Sequence, residues 1–221
     1  MAGLSARRPL GALLLTWLAV AGFLGVILWF MAIQNRPPGF FTRDIFSIAD
    51  LPVYTAIVTH ATVFLWTVTA AICLFSGWIL WRLPGRRAPA GFLLVGAGIS
   101  FVLLLDDFFL IHEWLLPQRF GFPEQGTFAL YLALVLWYVM AFRQVILAAE
   151  PELLLLAGML FAAALGLDIL ESLEFVPVRW FPEEACKLMG AATWCLFFAR
   201  AAAREVRAAL PPPARRAPAS P

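Results

Sequence analysis

Residues Leu103–Pro117 read LLLDDFFLIHEWLLP. Asp106, Asp107, His112 and Glu113 stand in a run that is otherwise leucine, phenylalanine, isoleucine, tryptophan and a closing proline. Such a run is a buried core helix or a membrane span, and the rest of the chain decides between them. Of 221 residues, 62% are hydrophobic and only 14% are charged, and the mean hydropathy is +0.86. Soluble domains carry about 25% charged residues. This much apolar surface calls for lipid as solvent, and the lipid bilayer is the first partner the sequence implies.

A helix that crosses a bilayer needs roughly 20 apolar residues. Six runs qualify, at about 9–33, 53–81, 90–116, 127–148, 152–173 and 183–207. Pro37, Pro38, Pro52, Pro84, Pro89, Pro117, Pro123, Pro177 and Pro182 fall at their ends or between them, where proline costs a helix least. The expected fold is therefore all-α: a polytopic membrane protein with six transmembrane helices in one bundle, a single domain over 1–208. The tail 209–221, rich in proline and arginine, is expected to be disordered. The first run follows Arg7 and Arg8 but exceeds the roughly 7–15 residues of a signal-peptide core, and no small-x-small cleavage site follows it, so it reads as a retained anchor.

Basic residues set the orientation. Arg7, Arg8, Arg82, Arg86, Arg87, Arg143, Arg200, Arg204, Arg207, Arg215 and Arg216 fall on one side, and Arg36, Arg43, Arg119 and Arg179 on the other, eleven against four. Both termini are expected in the cytoplasm. The net charge of +2 and the lack of a basic patch interleaved with aromatics argue against nucleic acid. Cys73, Cys186 and Cys195 have no metal-ligand spacing and read as packing residues. No phosphate-binding, dinucleotide-binding, nucleophile-elbow or zinc-protease motif occurs.

With that orientation the polar groups fall in one layer. At 1.5 Å per residue, Asp106 lies ~16 Å and Glu113 ~6 Å below Pro117, and His60 ~10 Å below the outer surface. Asp168 and Glu171 occupy the outer half of the fifth run. Glu183, Glu184 and Lys187 open the sixth, with Glu183 and Lys187 at ion-pair spacing. Ionisable groups inside a bilayer are costly and face a bundle interior or cavity, so one shared, outward-facing pocket is expected. On a continuous helix Asp106 and Glu113 share a face, with Asp107 and His112 on its opposite flanks.

Carboxylates with imidazole suit a divalent iron, manganese or zinc ion. The ligands would come from Asp106, His112, Glu113, Asp168, Glu171 and His60, with Asp107, Glu183, Glu184 and Lys187 completing the pocket. A metal-dependent enzyme acting on a lipid or other membrane-accessible substrate is one reading. A proton- or cation-coupled transporter is another. Haem held between His60 and His112 is a third. Against all three stands a scaffold, homo-oligomer or subunit of a membrane complex whose acids bond between helices.

The stretches LLLDDFFLIHE and EEACKLMG resemble a diffuse group of uncharacterised bacterial multi-pass membrane proteins, which carry a D-D/E-x4-HE helix and a later EE-x-x-E/x-x-x-G helix. The resemblance covers the third to sixth runs. It implies a bacterial inner membrane and supplies no activity. Lys187 stands where that pattern has an acid. Membrane ceramidase-like hydrolases, with three metal histidines and seven spans, are a poorer match to two histidines and six runs.

Overall fold

The computed structural model describes residues 10–35, 37, 39–172 and 180–210. Arg7, Arg8, Arg36, Arg179 and the end of the tail, 211–221, lie outside the described residues, as do the contacts of the Glu171 side chain. Every regular element among the described residues is helical. The chain divides into two compact units, Met1–Thr55 and Ala56–Pro221.

The first unit holds α1 (Leu10–Gln34), α2 (Gly39–Thr42) and α3 (Ile45–Ala49). None of the 22-residue apolar segment of α1 is buried within the chain. Leu14, Leu15, Trp17, Phe23 and Trp29 all stand exposed, as they would against lipid tails. The long polar segment after it forms two short helices. Asp44 caps α3, accepting bonds from the Ser47 N–H and hydroxyl at 2.8 Å each, the usual remedy for unpaired N–H groups at a helix start.

The second unit holds α4 (Ile57–Trp81), α5 (Arg87–Phe109), a single π-helical turn (Ile111–Leu115), α6 (Leu116–Phe120), α7 (Glu124–Ala141), α8 (Arg143–Ala148), α9 (Pro151–Ser172) and α10 (Trp180–Ala209). α4 packs against α5 and α10, and α10 against α9. Among the described residues, five helices are long and apolar enough to cross a membrane: α1, α4, α5, α7 and α9. α10 has 30 residues but carries Glu183, Glu184 and Lys187 near one end and Arg200, Arg204, Glu205 and Arg207 near the other.

Aromatic rings and small residues build the core. Phe92 stacks on Tyr138 at 5.6 Å and on Phe198 at 5.5 Å, and all three rings are fully buried. A Cβ placed on Gly96 would lie 2.5 Å from the Phe198 ring, and one on Gly190 would lie 2.7 Å from that of Phe161. Glycine is the residue that lets α5 and α10 carry these rings so close, since helices in lipid associate by tight packing more than by water exclusion. The polar tips find partners, as buried ones must. The Tyr138 hydroxyl donates to the Phe92 carbonyl at 3.0 Å, and the Trp194 indole N–H to Ser100 Oγ at 3.1 Å.

At the end of this unit where α4 joins α5, arginines tie the helices together. Arg86 donates to the Ala208 carbonyl, Arg200 to the Glu150 carboxylate, and Arg204 to the Ala148 carbonyl and Glu205.

Candidate functional site

The third apolar run is not one helix. α5 stops at Phe109, and Leu110 adopts left-handed backbone angles, φ +50° and ψ +49°. A left-handed residue is a common helix terminator, but it is usually glycine, because a Cβ there meets the next carbonyl. The Leu110 N–H bonds the Asp106 carbonyl. After it the chain winds one π-turn, in which Leu115 N–H reaches the Leu110 carbonyl at 3.0 Å.

The break rearranges the polar residues. Asp106 and His112 are six apart, which on an unbroken helix leaves them about 120° apart in azimuth. The expected placement of His112 on the far flank is thereby corrected: the left-handed turn brings it over Asp106. Its Nδ1 lies 2.5 Å from Asp106 Oδ2, and its backbone N–H, which has lost a helical acceptor, donates to Asp106 Oδ1 at 3.0 Å. From α7 the Tyr131 hydroxyl donates to the same Oδ1 at 2.9 Å. Asp106 and His112 are 4% and 7% exposed, so the carboxylate is satisfied by protein donors in a site almost closed to solvent.

The carboxylate accepts, so Nδ1 carries the proton and Nε2 is the atom left to act. Two further acids face it, Glu113 Oε1 at 3.5 Å and Glu124 Oε1 at 3.9 Å. The Phe128 ring closes one side, its centroid 5.0 Å from that of the imidazole. Asp168 of α9 acts electrostatically on both Glu124 and Glu183.

Asp107 turns the other way, as its 100° offset from Asp106 predicts, and accepts the Trp66 indole N–H from α4 at 2.8 Å. Lys187 sits between Glu184 at 3.0 Å and Glu183 at 3.5 Å and also acts on Asp107 electrostatically. The structure thus groups Asp106, His112 and Glu113 as one set and Glu183, Glu184 and Lys187 as a second, with Asp107 beside it. His60 is half-buried in the first turn of α4. Among the described residues no three His, Cys, Asp or Glu side chains are already gathered around a common metal position.

Three members of the site, Glu124, Phe128 and Tyr131, lie on α7. Their spacing i, i+4, i+7 puts them on one face. Thr127 is 1% exposed and its hydroxyl has no hydrogen-bond partner among the described residues. Glu124 stands just before the apolar run at 127–148, so hydropathy alone does not mark its place on this face.

The fold and site define a class: an all-helical protein with five membrane-length helices and a buried histidine–aspartate pair at a helix break. Within that class the chain belongs to the family described as a domain of unknown function, DUF8692, whose model matches residues 11–201. No curated protein matches the chain significantly. No solved structure does so either.

Proposed function

We propose that this is an integral membrane protein whose working element is an acid–base centre at His112, acting on a lipid or other membrane-accessible substrate. The observation that carries it is the 2.5 Å contact of Nδ1 with Asp106, which leaves Nε2 between Glu113 and Glu124. Asp106 holds the ring in one tautomer and balances its charge when Nε2 is protonated. Tyr131 and the His112 backbone N–H keep Asp106 in place. Nε2 can then take a proton from a bound group, or pass one to Glu124 or Glu113. On this reading α10 is the sixth span, and the excess of basic residues on one side supports cytoplasmic termini in a bacterial inner membrane.

The same atoms support a second reading, in which Nε2, Glu113 and Glu124 hold a divalent iron, manganese or zinc ion. Histidines that bind metals usually donate their other N–H to a carboxylate, as His112 does to Asp106. Such an ion would supply Lewis acidity or a bound hydroxide. Asp168, and Glu171 and His60 if they turn inward, would be the additional ligands.

The test is nitrogen-15 histidine NMR of the full chain in lipid nanodiscs, with elemental analysis of the same samples, for wild type, Asp106→Asn and Glu124→Gln. An acid–base centre shows a titrating Nε2 whose midpoint moves in both variants. A stoichiometric metal, lost in Glu124→Gln, selects the second reading. An imidazole that neither titrates nor responds, in metal-free protein, leaves a scaffold whose acids only join helices.

A further inference from the structure

The opposite end of the second unit carries a site of different chemistry. Two membrane-length helices, α4 and α5, are joined there by the short segment 82–86, so this turn sits at the edge of the apolar layer. Trp78 and Trp81 stand exposed beside it, where indoles settle at headgroup level. A cavity of about 450 Å³ opens in the turn, lined by Trp81, Arg82, Gly85, Arg87 and Ala88 among others. A second, of about 310 Å³, is lined by Ala88, Phe142, Arg143 and Gln144 among others. Ala88 belongs to both, and neither lining contains an acid.

The arginines at this end fall into two groups. Arg86, Arg200 and Arg204 are consumed by Glu150, Glu205 and backbone carbonyls. Among the described residues, Arg82, Arg87 and Arg143 have no carboxylate partner; Arg82 rests its guanidinium 4.3 Å over the Trp78 ring. Of the four described arginines at this end without a carboxylate partner, Arg82, Arg87 and Arg143 line the cavities and Arg207 of α10 does not. Guanidinium is planar, permanently charged and matched to phosphate oxygens, and basic recesses between membrane helices at this depth suit lipid phosphates.

We propose that the recess between Arg82 and Arg87 is a specific site for the phosphate of an anionic phospholipid, with Arg143 across Ala88 contributing to the same headgroup region. The acyl chains would lie along the exposed apolar face of α4, where Leu74, Phe75 and Trp78 already point outward. This site is independent of the His112 centre.

Native mass spectrometry of the full chain in detergent, titrated with phosphatidylglycerol, phosphatidylcholine or inorganic phosphate, tests it. The wild type should retain a single phosphatidylglycerol selectively. Arg82→Gln/Arg87→Gln should weaken that adduct by about thirtyfold, from two phosphate-facing charges near the surface. Arg119→Gln, which removes one charge far from the recess, should not. Arg82→Lys/Arg87→Lys should keep part of the preference, and this pair decides the matter should the glutamine variant not fold. Equal retention of the two lipids, an unchanged double variant, or full competition by inorganic phosphate would each overturn the proposal.

Discussion

Asp106 and His112 meet at 2.5 Å because Leu110 breaks the helix between them. The contact and the break stabilise each other. The carboxylate accepts a backbone N–H that the break orphans, and the break supplies the imidazole that the carboxylate holds. Asp106→Asn should therefore lose more than a charge. Removing one partner of a buried pair costs about 3–5 kcal/mol, so the variant should melt well below wild type in detergent. Its His112 nitrogen shifts should show a mixture of tautomers. An unchanged melting curve would mean that the break stands without the carboxylate.

Leu110 itself invites a substitution that most buried helices would not tolerate. A left-handed residue with a side chain costs roughly 1–2 kcal/mol, against which glycine loses about 0.5–1 kcal/mol of chain entropy. The Leu110 side chain is exposed and contributes little to the core. Leu110→Gly should leave stability unchanged or raise it by up to about 1 kcal/mol, whereas Leu110→Val should lower it, both read by thermal denaturation. A loss of several kcal/mol in the glycine variant would show that the leucine packs against something other than lipid.

Trp66 and Asp107 join α4 to α5 at 2.8 Å. A double-mutant cycle with Trp66→Phe and Asp107→Asn should give a coupling of about 0.6–1.7 kcal/mol, the span found for polar bonds between membrane helices. Zero coupling would make the bond incidental to the packing of α4 on α5.

Glu150, just before α9 and outside its apolar segment, pairs with Arg200 of α10 and gives a pH signature. The guanidinium hydrogen-bonds the carboxylate and holds its pKa below the usual glutamate range. A depressed folded-state value means that the pair stabilises the fold above the unfolded-state value, and that the gain is lost as pH falls through the folded one. The contribution is small because the pair is exposed and salt screens it. Glu150→Gln should remove this acid-side component of the stability profile, and high salt should mask the difference.

Membrane class was largely legible in the sequence, since long apolar runs and prolines at their ends are strong signals. α4 and α9 lie within a few residues of the predicted spans, whereas α5 and α7 stop at Phe109 and Ala141, short of the expected ends at 116 and 148, and five of the six expected runs are membrane-length helices among the described residues. The site was legible only in its ingredients. Asp107 could be placed by helical offset because it lies before the break. His112 could not, because nothing in FFLIHE announces a left-handed leucine; glycine or asparagine would have. The partners from α7 were missed for a simpler reason. Tyr131 sits in an apolar run and reads as lining, and its role depends on a hydroxyl reaching another helix.

The capping of the break has a mechanical consequence. A single carboxylate, Asp106, fastens both the imidazole ring and the backbone of the same residue. Any event that takes the charge from that carboxylate loosens ring and backbone together. The charge on Asp106 and helix shape at this point are therefore not separate variables. Amide exchange at His112 should report on that carboxylate as directly as any probe of the imidazole, turning the kink into a built-in gauge of its protonation.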